Sequence, residues 1–245
     1  MSRRPVYTPA AAPVTLLPIT GLPEVDVGAD LAPMIVDAIK GCGLELRADD
    51  VLIVTQKIVS KAEGMVREVD PDDLDAKRLI AESESIRIVR RRGGLVITET
   101  KHGFVCANAG IDASNLEPGV ITLLPEDPDR SARKLRSQIK RLTGVAPPVI
   151  ISDTFGRAWR VGQVNVAIGV AGMVPVIDYL GAEDHYGTPL RVTVIAIADE
   201  LASAAELVMG KADGVPVAIA RGVRFRPGRG NARSLVRQAQ DDLFR

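Results

Sequence analysis

The chain has 245 residues, of which 31 are lysine or arginine and 31 are aspartate or glutamate, so its formal net charge is zero. This balance gives no support for nucleic acid or an anionic membrane as a partner, since both select a basic surplus. The hydrophobic fraction of 46% fits a compact globular protein, and no stretch approaches the ~18 apolar residues of a membrane span. We therefore expect a cytoplasmic protein.

The first part of the chain predicts a lead-in followed by strands and helices. Residues 1–13 are rich in Pro and Ala and predict a disordered lead-in, with one domain following over residues 14–245. Residues 14–18 predict a first strand. Asp30 predicts the N-cap of a helix, because apolar residues recur after it at helical spacing. The β-branched run at residues 51–55 is typical of a buried strand.

The remaining elements alternate without a regular rhythm. Residues 70–85 have helical potential, and two strands are predicted at residues 86–89 and 95–98 around a turn. Ser131 predicts the N-cap of a helix that ends at Gly144. Further strands are predicted at residues 149–152, 192–198 and 215–220, and a further helix at residues 199–209. The mixed order predicts an α+β fold of mixed sheets and helices in two interleaved lobes.

The first of three polar clusters spans residues 55–64, directly after a predicted strand. The chain has neither a P-loop nor a Gly-x-Gly-x-x-Gly motif, so any phosphate site must be built differently. Lys57 and Lys61, with nearby hydroxyl groups, could hold phosphate oxygens through charge-assisted hydrogen bonds. The alternative is a solvated turn.

The second polar cluster spans residues 101–115 and contains His102, one of two histidines. It combines glycines with Asp112 and two asparagines, Asn108 and Asn115. Carboxylate and amide oxygens are ligands that Mg²⁺ or Mn²⁺ accepts. The alternative is a glycine-rich loop in which Asp112 makes an Asx-turn.

The third polar cluster spans residues 152–163. Asp153 and Thr154 are predicted at the end of a strand, where a carboxylate and a hydroxyl can hold a metal ion. Arg157 and Arg160 could neutralise phosphate or a carboxylate. The alternative is an N-cap aspartate followed by core and surface residues. The three clusters together indicate an anion-rich substrate handled with a hard metal ion.

Four segments resemble, in order, the signature segments of the coenzyme F(420)-0:γ-glutamyl ligase family. They are residues 55–64, 102–115, 152–163 and 206–214. The resemblance implies an uncommon α+β fold and an intertwined homodimer. It also implies GTP-dependent ligation of L-glutamate to the lactate carboxylate of F(420)-0, with an optional second γ-linked glutamate. The reaction would pass through an acyl phosphate and release GDP and phosphate.

The resemblance also assigns roles to individual residues. The metal-binding positions are Asp112, Asp153, Thr154 and Glu206. The nucleotide-contact positions are Leu22, Pro23, Gln56, Lys61, Asn115, Met209 and Gly210. The catalytic candidates are Lys61, His102 and Arg157. The expected cofactors are two magnesium or manganese ions (Mg²⁺ or Mn²⁺) per site, with GTP as co-substrate and K⁺ as an additional ion.

Two alternatives to this function stay open. The chain could amidate a different carboxylate acceptor, or it could bind a deazaflavin or GTP without catalysis. Retention of Lys61, Asp112, Asp153 and Thr154 disfavours the second alternative, because a binder needs no metal pair. The arginine-rich segment after Arg221 could contact a substrate phosphodiester or form a solvated tail.

Overall fold

The computed structural model describes residues 13–70, 73–114 and 116–243. The predicted lead-in falls on residues 1–13, of which 1–12 lie outside the described residues. The described chain mixes helices and strands, which confirms the predicted α+β class. The two interleaved lobes and the homodimer stay predictions.

The described residues form strands, α-helices and short 3₁₀ turns in the following chain order. The strands are β1 (Thr15–Ile19), β2 (Val51–Thr55), β3 (Val66–Glu68), β4 (Ser85–Arg92), β5 (Leu95–Thr100), β6 (Val105–Ala107), β7 (Val120–Thr122), β8 (Val149–Arg157), β9 (Arg160–Ala171), β10 (Ile177–Asp178), β11 (Val194–Ile195) and β12 (Val217–Arg221). The α-helices are α1 (Leu31–Gly41), α2 (Gln56–Ala62), α3 (Leu74–Ser83), α4 (Pro128–Thr143) and α5 (Ile197–Met209). The 3₁₀ turns lie at Asn108–Gly110, Ala232–Leu235 and Ala239–Asp241.

A five-stranded sheet in the order β1-β12-β2-β8-β9 forms the centre of the fold. Its neighbouring strands are antiparallel except for β2 and β8, which run parallel with Thr55 beside Ser152. Parallel neighbours point their carboxyl ends toward the same edge of a sheet, where the loops that build binding sites gather. This register brings the first and third polar clusters together.

Helices cover both faces of this sheet. Ile35 of α1 and Ile139 of α4 are buried against one face, and α2 contributes to the same hydrophobic cluster. Leu201 and Met209 of α5 are buried against the other face. Residues 51–54 of β2 lie between the two layers and are fully buried. Burial on both faces explains why this strand is a continuous apolar run in sequence rather than an alternating one.

Helix α4 begins one turn earlier than the sequence predicts. Asp127 is its N-cap, because the carboxylate accepts a 2.9 Å hydrogen bond from the Arg130 N–H, and Pro128 occupies the first turn. The predicted cap, Ser131, lies inside the helix, and its hydroxyl donates to the Glu63 carboxylate at 2.6 Å. The helix therefore begins after the Asp127 carboxylate and not after the Ser131 hydroxyl.

Three further segments differ from the prediction. Residues 56–62, for which the sequence predicts no helix, form helix α2, so the solvated-turn alternative is wrong. The glycine-rich segment after residue 160, to which the sequence assigns no element, forms the long strand β9 paired along β8. Residues 192–198, predicted as one strand, are divided between β11 and the first turn of α5. Asp153 and Thr154 consequently lie within β8, with a partner strand on the far side, and not after a strand end.

The segment at residues 177–195, here called the hairpin arm, leaves the sheet with β10 and β11 paired at its base. Backbone hydrogen bonds continue toward its tip, including Gly181 N–H to the Leu190 carbonyl at 3.0 Å. Large apolar side chains on the arm are exposed, among them Tyr186 at 90% and Val192 at 89%. The arm therefore presents apolar surface that the described part of the chain does not cover.

The C-terminal segment packs against the fold, at least as far as Ala232, while its Arg224, Arg226 and Arg229 side chains are exposed. Ala232 is fully buried in the cluster under α5. The Arg226 carbonyl accepts from the Val174 N–H at 2.8 Å. One carboxylate oxygen of Asp129 accepts from the N–H groups of both Val170 and Ala232, each at 2.8 Å. None of the described helices is long and apolar enough to cross a membrane.

Candidate active site

A cleft of about 860 Å³ opens at the sheet edge to which β2 and β8 point. Residues of α2, β8, β9, α5 and the loops beside them form its walls. The predicted site residues that line it are Pro23, Gln56, Lys61, Asp112, Asp153, Thr154, Glu206 and Gly210. The fold therefore gathers side chains from all four signature segments around one space.

Helix α2 supplies Gln56 and Lys61 to the cleft wall. The buried Gln56 side chain donates through Nε2 to the Ser60 hydroxyl at 2.7 Å and to the Leu123 carbonyl at 2.8 Å. These two bonds fix the amide orientation and use its donor end. Lys61 Nζ pairs with the carboxylate of Glu24, whose side chain is 80% exposed. An exposed partner holds a lysine weakly, so the ammonium group can turn to an anionic ligand.

Asp112 is held as a carboxylate by its neighbours. Lys57 Nζ lies 3.0 Å from Oδ2, and the Ser114 N–H and hydroxyl both donate to Oδ1 at 2.7 Å. Burial opposes ionisation, but these hydrogen bonds and the lysine charge together lower the pKa of Asp112. The Ser114 N–H bond is the Asx-turn that the sequence left open. The turn orients the carboxylate and does not remove it from the cleft.

The pKa of Asp153 is raised, whereas that of Asp112 is lowered. Burial, together with the nearby Asp112 carboxylate, raises the pKa of this carboxyl group to about 7. The Thr154 N–H, at 2.8 Å, and the ammonium groups of Lys211 and Lys57 offset only part of this effect. The pair of carboxylates is thus short of positive charge when the protein is alone.

A row of hydrogen bonds runs from Lys211 to Glu206 across the cleft wall. Lys211 Nζ donates to the Thr154 hydroxyl at 2.6 Å, and this hydroxyl donates to Asn165 Oδ1 at 2.7 Å. Asn165 Nδ2 then donates to Glu206 Oε2 at 2.8 Å. Two predicted metal ligands are therefore connected through a residue that the sequence did not single out.

The donor set fits a hard divalent cation. Asp112, Asp153, Thr154 and Glu206 offer carboxylate and hydroxyl oxygens, the ligand type that Mg²⁺ or Mn²⁺ accepts. The raised pKa of Asp153 is the observation that favours a cation, since a positive ion would offset the charge of the carboxylate pair. Within the described residues, no group of three or more His, Cys, Asp or Glu side chains is arranged to hold a metal ion. Mg²⁺ is usually held by one or two protein carboxylates and completed by phosphate oxygens and water.

Four predicted residues lie outside the cleft lining. Leu22 packs against the hydrophobic cluster under α1, next to Pro23 in the chain. Met209 is fully buried on the other face of the sheet, next to Gly210. Arg157 is exposed and donates to the Val161 carbonyl at 2.6 Å, within the β8–β9 turn.

His102 is the fourth of these residues, and the structure places it in a second cavity. Its Nε2 lies 2.9 Å from the Pro125 carbonyl and 3.1 Å from that of Glu126. Its ring stacks on Phe104, with 5.7 Å between ring centroids. Asn115, the remaining predicted residue, lies outside the described residues.

Sequence reasoning missed Lys211 and Asn165, and it assigned Lys57 only to phosphate binding. Lys57 and Lys211 stand inside signature segments, but nothing in the spacing indicates which acidic or hydroxyl group each one contacts. Asn165 stands in the glycine-rich stretch and becomes visible only through the β8–β9 register, which pairs it with Thr154.

Comparisons with known proteins show what this chain is similar to. The sequence model of the F(420)-0:gamma-glutamyl ligase family matches residues 20–222. The coenzyme F(420):L-glutamate ligase of Methanothermobacter thermautotrophicus is 42% identical over 95% of this chain and 99% of its own length. The enzymes of the same name from Methanopyrus kandleri and Methanocaldococcus jannaschii are 43% and 41% identical, over 91% and 80% of this chain and 94% and 84% of their own lengths.

Proposed function

Since the chain belongs to the F(420)-0:gamma-glutamyl ligase family, we propose that it joins L-glutamate to coenzyme F(420)-0 in a GTP-dependent reaction. The protein is a ligase, and its relatives are named for the coenzyme F(420) substrate. One observation carries the proposal beyond the family. The cleft combines the carboxylates of Asp112 and Asp153 with three lysines, Lys57, Lys61 and Lys211. Such a site suits a substrate that brings phosphate groups and metal ions together.

The chemistry follows from the inertness of a carboxylate toward an amine at neutral pH. In the proposed first step, a lactate carboxylate oxygen of F(420)-0 attacks the γ-phosphorus of GTP. The bond between this phosphorus and the bridging oxygen breaks, which releases GDP and leaves an acyl phosphate. The amine of L-glutamate then attacks the acyl carbon, the amide bond forms, phosphate leaves and the nitrogen loses a proton. A second, γ-linked glutamate would repeat these steps on the new side-chain carboxylate.

Phosphoryl transfer depends mainly on positioning and charge neutralisation, which are what the cleft residues offer. Asp112, Asp153, Thr154 and Glu206 would hold the divalent ions, which when bound neutralise charge on the phosphate oxygens. Lys61 would neutralise charge that develops on the transferred phosphoryl group. Its present partner, the exposed carboxylate of Glu24, is easily exchanged for a ligand. K⁺ as an additional ion stays a prediction.

Mass spectrometry of a defined reaction tests the proposal. The reaction contains the purified protein, F(420)-0, L-glutamate, GTP and Mn²⁺, with omission of GTP or Mn²⁺ as controls. We expect a product heavier by one or two glutamyl residues, and no product in either omission. Formation of the product without GTP would contradict the activation step.

Failure of the reaction also has a definite meaning. If GTP is hydrolysed or bound but F(420)-0 is not extended, the acceptor is wrong, and other carboxylates replace F(420)-0 in the same assay. If GTP neither binds nor reacts, the ligase mechanism proposed here is wrong as a whole.

We also propose that the protein acts as a homodimer. The support is the apolar surface of the hairpin arm, where Tyr186 and Val192 are about nine-tenths exposed. Burial of such side chains favours association by about 25 cal/mol per Å² of apolar surface. Light scattering after size-exclusion chromatography would give twice the chain mass of 26.1 kDa for a dimer. A stable monomer at micromolar concentration would contradict this assignment.

A further inference from the structure

We propose that Asn165 is a positioning residue that prepares Thr154 and Glu206 as cation ligands. This inference rests on the proposed metal-dependent function, and it assigns a role to a side chain that none of the sequence motifs contains. Asn165 lies on β9 directly opposite Thr154 of β8 and is only 2% exposed. A buried amide in a strand needs partners for both of its ends, and Asn165 finds both among predicted ligands.

The direction of the hydrogen bonds matters more than their number. A carboxylate can only accept, so the nitrogen end of the Asn165 amide must face Glu206, where the Nδ2 to Oε2 distance is 2.8 Å. The oxygen end must then face Thr154, with 2.7 Å from the hydroxyl oxygen to Oδ1. Glu206 therefore sets the orientation of the amide, and the amide in turn sets the direction of the Thr154 hydroxyl.

This orientation decides what the threonine offers to the cleft. Asn165 Oδ1 accepts the hydrogen bond of the Thr154 hydroxyl, so the lone pairs of the hydroxyl oxygen are left for a positive group. In the protein alone, the ammonium group of Lys211 occupies that position, 2.6 Å from the oxygen. A cation that ligates Thr154 needs the same lone pairs, which the amide keeps available. Outer partners of this kind hold ligands in orientation and tune the metal site.

A second contact joins helix α5 to the backbone of Asn165. The Ser203 hydroxyl of α5 donates a hydrogen bond to the Asn165 backbone carbonyl at 2.7 Å. Glu206 follows three residues later on the same helix, so α5 is joined to β9 both through the backbone and through the amide side chain. The backbone contact provides a matched control, because Ser203→Ala removes it and leaves the row from Lys211 to Glu206 intact.

The test is Mn²⁺ binding to the full-length protein without substrates. Calorimetry gives the affinity, and electron paramagnetic resonance reports the surroundings of the bound ion. Asn165→Ala should weaken Mn²⁺ binding by about 10–100-fold, the usual effect of removing an outer partner of a metal ligand. Its Mn²⁺ spectrum should also change, and its ligase activity should recover at high Mn²⁺. Asn165→Leu, which fills the side-chain volume, should behave alike and serves if the alanine variant does not fold. Ser203→Ala should keep the wild-type affinity and spectrum.

Two results would overturn the inference, and they are distinct. If the wild type binds Mn²⁺ and the Asn165 variants bind it equally with the same spectrum, Asn165 has only a structural role and the proposed function stands. If the wild type binds no Mn²⁺, even with GTP added, the metal-dependent function fails and the role of Asn165 fails with it.

Discussion

The substitution Asp153→Asn should make the metal-free protein more stable and the enzyme inactive. The charge of the buried Asp153 carboxylate is costly without a cation, and Asn removes this charge with almost no change in shape. The amide oxygen can still accept the Thr154 N–H, which lies 2.8 Å from the present carboxylate oxygen. Stability and catalysis should therefore respond in opposite directions at this residue.

The magnitude follows from the pKa of Asp153. Burial raises this pKa from the ordinary value of 3.8 to about 7, so the folded protein binds more protons than the unfolded chain between those values. Stability then falls as the pH rises through this window. By pH 8 the loss reaches about 4 kcal/mol, at 1.36 kcal/mol for each tenfold change in proton affinity. This is the upper limit of the gain on substitution, since the buried amide also loses contact with water.

Thermal melts in EDTA between pH 4 and pH 8 measure this effect. The melting temperature of Asp153→Asn should match that of the wild type near pH 4 and exceed it by several degrees at pH 8, at about 2–4 °C per kcal/mol. Asp37→Asn, at a side chain that is 75% exposed, is the control and should show no such trend. Mn²⁺ should stabilise the wild type but not Asp153→Asn, whose turnover should fall by orders of magnitude.

Two outcomes would refute the reasoning about Asp153. A difference in melting temperature that does not depend on pH would show that Asp153 is not the titrating group. Near-normal turnover of the variant would remove this residue from the metal site.

Three further substitutions test separate parts of the structure. Arg221→Met leaves the buried Asp50 without the guanidinium that contacts it at 2.7 and 2.8 Å, so urea titration should show a loss of about 3 kcal/mol; an unchanged midpoint would mean that water replaces the ion pair. Gly169→Ala places a methyl group 2.4 Å from the Pro128 carbonyl oxygen and should cost about 1–3 kcal/mol, unless α4 shifts freely. His102→Ala should retain most of kcat, because the ring lies in the second cavity. A loss of 10²-fold or more in kcat is typical of a missing general base and would mean that His102 is catalytic.

The sequence predicts those elements whose buried residues follow a simple apolar pattern. The apolar run of β2 and the helical spacing of α1 each specify one way to be buried, and the structure confirms both. Helix α2 was not predicted, because its seven residues span only two turns and carry the polar side chains of the cleft. A short polar helix and a polar loop give the same sequence pattern.

The candidate site was predictable as a set of segments but not as a geometry. Asp112, Asp153 and Lys61 stand in recognisable clusters, and all three line the cleft. The position of Asn165 opposite Thr154 depends on the β8–β9 register, which includes a bulge between Ile151 and Ser152. A strand pairing of this kind is a long-range contact that local spacing does not contain.

The carboxylate of Asp129 has a consequence for where this protein can be cut. The family match ends at residue 222, yet one oxygen of Asp129 binds the N–H groups of Val170 and Ala232 together. A chain shortened to the matched region would lose the Ala232 partner and expose the apolar surface that Ala232 covers. The end of the family-model match and the end of the folded region therefore differ in this chain. Proteolytic trimming should stop beyond Ala232, past the end of that match.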